Sequence, residues 1–136
     1  MRGTGIPAED WIAKVTKMLD SGVDINEVDV QHGTPLVMFS GMGDKGVVSL
    51  LLNRGADINK VGCKCGTALA AAAFHGQKDI LSLLLDRGAN INAVGGDYVT
   101  ALGAAVVAGR KDEVSLLVDR GADMNYVTSK FGTVLG

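Results

Sequence analysis

The chain repeats itself every 33 residues, and this period constrains its fold more than any other feature. A five-residue phrase starting with glycine occurs four times at this spacing, as Gly22-Val23-Asp24-Ile25-Asn26, Gly55-Ala56-Asp57-Ile58-Asn59, Gly88-Ala89-Asn90-Ile91-Asn92 and Gly121-Ala122-Asp123-Met124-Asn125. A second phrase keeps the same spacing, as Gly33-Thr34-Pro35-Leu36, Gly66-Thr67-Ala68-Leu69, Val99-Thr100-Ala101-Leu102 and Gly132-Thr133-Val134-Leu135. Residues 33–65 and 66–98 are identical at 16 of 33 positions. Repetition of this length is typical of stacked repeat architectures.

Each repeat reads as two short helices followed by a turn-rich segment. In residues 66–98, Thr67 is a good N-cap for a small-residue helix from Ala68 to His75. Gly76 is expected to end that helix in the left-handed conformation, as Gly43 and Gly109 do in the other repeats. A second helix from about Asp79 to Asp86 carries one apolar stripe, formed by Ile80, Leu81, Leu84 and Leu85.

Two helices this short cannot bury their apolar faces alone. Stacking each repeat on the next buries them, so the pattern predicts a quasi-linear solenoid. The period of 33, the Thr-Pro/Ala-Leu start, the mid-repeat glycine and the Gly-Ala-Asp-x-Asn close resemble the ankyrin repeat over residues 10–135. This resemblance implies an all-α ankyrin-repeat solenoid of stacked helix-turn-helix units joined by β-hairpin-like loops. The Gly-Gly-x-Tyr variant within residues 91–98 resembles fungal arrays.

The repeat frame divides the chain, taken as a single domain over residues 1–136, into five parts. The expected parts are an N-terminal half-repeat or cap (10–32), three full repeats (33–65, 66–98 and 99–131) and the start of a truncated repeat (132–136). The usual histidine of the family after Thr-Pro-Leu is replaced by Val37, Ala70 and Gly103, so its ties between units should be missing. Glu113 stands where Val47 and Ile80 stand, which predicts a looser or more exposed C-terminal side.

The two ends of the array are unequal in sequence. In the half-repeat, Trp11, Val15, Met18 and Leu19 form the apolar stripe, whereas Lys14 and Lys17 replace Val47 and Leu50 and suggest a capping face. Met38 and Phe39 replace Ala71 and Ala72 and are expected to fill the space of the absent first helix. No C-terminal cap is visible in the sequence, so either the array continues or the open end is left for a partner, including a second copy of the chain.

Composition narrows the function classes. Hydrophobic residues make up 47% of the 136 residues and the net charge is −2, which favours a folded domain and argues against a nucleic-acid or anionic-membrane surface. The longest apolar run, Ala68 to Phe74, is too short to span a bilayer, and the N-terminus lacks a signal-peptide core. Cys63 and Cys65 close no useful loop, so we expect free thiols and an intracellular, cytoplasmic or nuclear, setting.

Three residue patterns could indicate a nucleotide, metal or catalytic site, but a structural role within the repeats is the better explanation of each. Residues 41–46 match Gly-x-Gly-x-x-Gly, yet only the middle glycine recurs in the other repeats, which favours a helix turn over a nucleotide site. His32, His75, Cys63 and Cys65 lack zinc-site spacing. The recurring serines, lysines and arginines of the second helices (Ser49, Ser82, Ser115; Lys45, Lys78, Lys111; Arg54, Arg87, Arg120) read as scaffold. We therefore expect no enzyme activity, no metal and no cofactor.

The resemblance implies binding of another protein or peptide along a concave face built from hairpin tips and the ends of first helices. The residues expected on that face are Gln31, Met42, Lys64, Phe74, His75, Asp97, Val107 and Lys130. The alternative is a ligand-sensing or regulatory ankyrin segment of a larger multidomain protein. A nucleotide-binding or effector domain beside the repeats in the natural chain would favour that alternative.

Overall fold

The computed structural model describes residues 8–28, 33–62, 66–96 and 100–123, and within these ranges the chain forms seven α-helices and no β-strand. The all-α architecture predicted from the sequence is confirmed. The helices are α1 (Ala8–Asp20), α2 (Pro35–Met42), α3 (Lys45–Asn53), α4 (Ala68–Phe74), α5 (Lys78–Asp86), α6 (Ala101–Ala108) and α7 (Lys111–Asp119). Thus α2/α3, α4/α5 and α6/α7 are pairs of a first and a second helix, and α1 corresponds to a second helix.

The helices form two adjacent rows. The first helices α2, α4 and α6 pack side by side, and α1, α3, α5 and α7 follow one another in the second row. Within each pair, the second helix packs against its own first helix. Every interior helix is therefore covered both by its own pair and by the pairs on either side, which is how stacked repeats share a continuous core.

Buried threonines begin the first helices. Thr34, Thr67 and Thr100 each accept a hydrogen bond at Oγ1 from the backbone N–H three residues later, at 3.2 Å in all three helices. These bonds satisfy donors that a helix N-terminus otherwise leaves unpaired. Pro35 follows Thr34 at the first helical position, where its missing N–H costs nothing.

The glycine-rich stretch 41–46 is the turn between α2 and α3. Gly43 has a φ of +88°, and its N–H donates to the Phe39 carbonyl at 3.1 Å. The Asp44 carboxylate then accepts from the N–H of Val47 at 3.1 Å and caps α3. The predicted helix turn is confirmed, because the stretch joins two helices instead of following a strand, as a dinucleotide-binding turn would.

Small side chains let the first helices approach closely. Ala68 and Ala70 to Ala73 of α4 are all buried between α2 and α6. In α2 the same row contains larger residues, and Phe39 is buried while Met38 is half-buried. Ser40, which corresponds to Ala73, is fully buried, and its Oγ has no hydrogen-bond partner among the described residues.

Side chains that recur with the repeat tie neighbouring pairs together. Asparagine Oδ1 atoms accept from a backbone N–H of the next repeat, in the bonds Asn26–Asp57 (2.7 Å), Asn59–Asn90 (2.8 Å) and Asn92–Asp123 (2.7 Å). Arginine Nη2 atoms donate to the preceding repeat, in the bonds Arg54–Asp20 (2.8 Å), Arg87–Asn53 (2.8 Å) and Arg120–Asp86 (3.0 Å). The predicted scaffold role of the arginines is confirmed, and these ties join units that lack the histidine of the family.

The structure differs from the sequence predictions in three details. The α4 helix ends at Phe74 with His75 as its C-cap, and α5 begins at Lys78, each one residue from the predicted bound. Glu113 itself is only 5% exposed, so the expected exposure of the C-terminal side does not extend to this position. The reason is that α5 packs against α7, and this preceding helix covers the start of α7 whatever residue stands there.

Candidate partner-binding surface

The C-terminal ends of the first helices carry the exposed apolar side chains of this row. Met42 at the end of α2 is 54% exposed, and Val107 near the end of α6 is 49% exposed. Between them, Phe74 ends α4 half-buried, and His75 follows it exposed. Because α2, α4 and α6 pack in sequence, we treat Gly41, Met42, Phe74, His75 and Val107 as one surface, here called the central strip.

The centre of the strip is an aromatic pair held against a glycine. The rings of Phe74 and His75 meet edge to face, with centroids 5.1 Å apart and an interplanar angle of 83°. A Cβ atom on Gly41 would lie 3.1 Å from Cδ2 of His75. The missing side chain at position 41 therefore leaves room for the imidazole edge beside α2.

Two hydrogen bonds fix the strip from the helix turns. Gln77 Nε2 donates to the carbonyl of Gly41 at 3.1 Å, and Arg110 Nε donates to the carbonyl of Phe74 at 3.0 Å. Both satisfy carbonyls near a helix C-terminus that lack an intrahelical partner. Gln77 and Arg110 occupy equivalent positions 33 residues apart, so the repeat frame identifies them as a pair, although sequence analysis did not assign them this role.

The structure brings together half of the residues predicted for the binding face. Met42, Phe74, His75 and Val107 lie on neighbouring first-helix ends, as expected for a shared surface. The other four predicted residues lie outside the described residues, and these are Gln31, Lys64, Asp97 and Lys130.

Other kinds of site find no support in the part of the chain that the structure describes. Within it, no group of three or more His, Cys, Asp or Glu side chains is placed to hold a metal ion. His32, Cys63 and Cys65 fall outside the described ranges. No helix in those ranges has the length and apolar character needed to cross a membrane.

Comparison with known proteins identifies the family. No curated protein matches the chain. The family model for ankyrin repeats matches residues 11–95 as three copies, which is more than half of the chain. Beyond residue 95, α6 and α7 repeat the threonine cap, the turn glycine and the arginine tie of the preceding pairs. Ankyrin repeats are a non-enzymatic fold that generally serves protein–protein interaction. The chain belongs to the ankyrin repeat family.

Proposed function

We propose that the chain binds a partner protein non-covalently through a concave face centred on the central strip. The observation that carries this proposal is the row of apolar side chains at three adjacent first-helix ends, Met42, Phe74 and Val107, two of them about half exposed. Apolar side chains that lie together on a surface are typical of interaction sites. The hairpin tips would add Gln31, Lys64, Asp97 and Lys130 around that row.

Phe74 is the expected anchor of the interface. It lies in the middle of the row, between Met42 on one side and Val107 on the other. Its ring is held edge to face by His75, and its backbone carbonyl is held by Arg110. A pre-positioned aromatic side chain loses little conformational freedom on binding, and central aromatic residues contribute most of the energy in many interfaces.

The proposal also covers the cellular compartment of the chain and the residue ranges of its repeats. We place the binding in the cytoplasm on the sequence argument that Cys63 and Cys65 form no disulfide framework. The unit boundaries proposed from the sequence are retained, with a half-repeat over 10–32, full repeats over 33–65, 66–98 and 99–131, and a truncated repeat over 132–136. Within each full repeat, the first helix supplies the binding face and the second helix supports it.

Affinity capture from the source cell, followed by mass spectrometry, tests the proposal and identifies the partner. The immobilised wild-type chain is compared with Phe74→Ala and with Val118→Ala, which removes a 40% exposed valine from the second-helix row. Once the partner is known, Phe74→Ala should weaken binding by at least about 2 kcal/mol. The matched Val118→Ala variant should bind at wild-type strength.

A melting curve separates a binding role from a core role. Phe74 is half-buried, so Phe74→Ala should remain folded and should melt well above a variant that truncates a fully buried leucine. Full-strength binding by folded Phe74→Ala, with loss of binding in Val118→Ala, would move the interface to the second helices. Melting as early as a core-truncated variant would make Phe74 part of the scaffold.

A further inference from the structure

An apolar groove opens at the N-terminal end of the array. It has a volume of about 300 Å³ and lies between α1 and α2. Its walls are almost entirely apolar and include Val15, Met18, Leu19, Met38, Phe39 and Leu51. It is separate from the central strip, since none of the strip residues lines it.

The repeat explains why this groove exists. Met18 occupies the same repeat position as Leu51, Leu84 and Leu117, which are fully buried, yet Met18 is 53% exposed. Each of those leucines lies in a second helix that packs against a first helix of its own pair. Among the described residues, α1 has no such first helix, so its apolar face remains open toward α2.

The shape of the groove favours inserted side chains over a closely packed helix. Where two first helices pack together, the contact row consists of alanines such as Ala71 and Ala72. In α2 the equivalent residues are Met38 and Phe39, which occupy part of the space and keep another backbone at a distance. The predicted filling by these two residues is therefore only partial, and the remaining volume suits a few apolar side chains.

Charges of opposite sign flank the groove. Lys14 lines it on the α1 side, and Lys17 lies exposed one turn further along the same helix. Asp24, which follows the C-terminal end of α1, also lines the groove, and Glu27 lines a neighbouring hollow that shares Met18 and Met38 with it. A surface with a basic edge, an apolar centre and an acidic edge is complementary to itself under two-fold rotation.

We propose that a second copy of this chain occupies the groove, in a two-fold dimer formed by the N-terminal ends. In this arrangement Met18 of each copy enters the groove of the other, and the basic edge of each copy faces the acidic edge of its partner. Met18 suits this role because it is exposed at the rim and because methionine adapts to irregular cavities. The dimer uses the end opposite to the C-terminal end at which the sequence alone predicts self-association.

Sedimentation velocity over a concentration series tests the proposal on the full chain. The wild type should shift from monomer to dimer as its concentration rises. Met18→Lys should raise the dimer dissociation constant by at least about tenfold, because it places an unpaired charge in the apolar centre. Val118→Lys is the matched control, since it alters an exposed apolar residue of the last second helix and should leave dimerisation unchanged.

A charge exchange tests the orientation of the two copies. Lys17→Glu alone should weaken the dimer, because it opposes the partner's acidic edge, and Glu27→Lys combined with it should restore the dimer. Three results would each overturn the proposal: a wild type that stays monomeric at the highest concentration, equal dimerisation of Met18→Lys and wild type, or loss of the dimer in Val118→Lys. The last result would place the contact at the C-terminal end. Thermal melting shows that each variant remains folded, which is expected because the substituted side chains are exposed.

Discussion

The two ends of the described array bury equivalent positions to very different extents. Met18 of α1 is 53% exposed, whereas Leu117 at the same repeat position of α7 is fully buried. The difference arises because α7 packs against its own first helix α6, and α1 has no such first helix in the described part of the chain. Burial in this fold therefore depends on which neighbouring helix is present as much as on the residue itself.

Two further repeat positions show which neighbour covers which side. Lys14 at the start of the array is exposed, but Glu113 at the equivalent position is buried because α5 precedes it. Conversely, Val114 is only half-buried, whereas Val48 and Leu81 at the same position are fully buried by the pairs that follow them. The repeat position of Glu113 therefore faces the preceding helix pair, and the position of Val114 faces the following pair.

The largest expected effect compares two truncations at one repeat position. Leu84→Ala should lower the free energy of unfolding by about 2–5 kcal/mol, because it empties a fully buried site in the middle of the array. Met18→Ala should lower it by no more than about 1 kcal/mol, since about half of that side chain already contacts solvent. Urea unfolding at low protein concentration measures both. Equal losses would mean that the N-terminal groove is closed in solution.

A smaller effect is expected at the C-terminal end, where Glu113 occupies an apolar position. The residue is only 5% exposed beside α5, but its carboxylate oxygens are not among the buried, unpartnered polar atoms of the described residues. Glu113→Ile should raise the free energy of unfolding by up to about 1 kcal/mol, because it adds apolar contact at a covered position and restores the residue found at position 80.

Glu113→Gln is the control for this substitution. It keeps the shape of the side chain but removes the carboxylate, so it should produce only part of the gain. A loss of stability in Glu113→Ile, measured by the same urea titration, would contradict the covering of this position by the preceding pair.

The smallest effect tests whether the ties between pairs are equal along the array. Arg54 and Arg120 donate to aspartates, whereas Arg87 donates to Asn53. Asn53→Asp should stabilise the chain by a few tenths of a kcal/mol at low salt and by less at high salt, because exposed ion pairs contribute little and are screened. Asp86→Asn is the reciprocal control. A gain that persists unchanged in high salt would show that the middle tie is stronger than its exposure suggests.

The fold was predictable because its determinants repeat. The caps Thr34, Thr67 and Thr100, the turn at Gly43 and the helix order all follow from short-range residue patterns that occur several times. The candidate surface was predictable in part, because Phe74 and Val107 occupy equivalent positions at first-helix ends. The groove at Met18 was not predicted, because its openness depends on the packing around α1, which has no first helix of its own among the described residues.

Two other features also lay beyond the sequence patterns. The packing of His75 beside Gly41 requires the distance between neighbouring first helices. The bonds from Gln77 and Arg110 to carbonyls 36 residues earlier depend on three-dimensional placement in the same way. Such contacts join residues that are not related by the 33-residue period, so they can be recognised only in the folded structure.

The asparagine bonds between neighbouring repeats require every repeat to have the same length. Every bond joins residues 31 apart. The bonds are also linked in series, because Asn59 accepts from the next repeat and Asp57, two residues before it, donates to the previous one. An insertion of one residue between Asn59 and Asn90 must therefore be looped out completely, or it displaces the donor from its acceptor and shifts the following bond as well. Because this spacing is fixed, changes in chain length are expected at the ends of the array or as whole repeats.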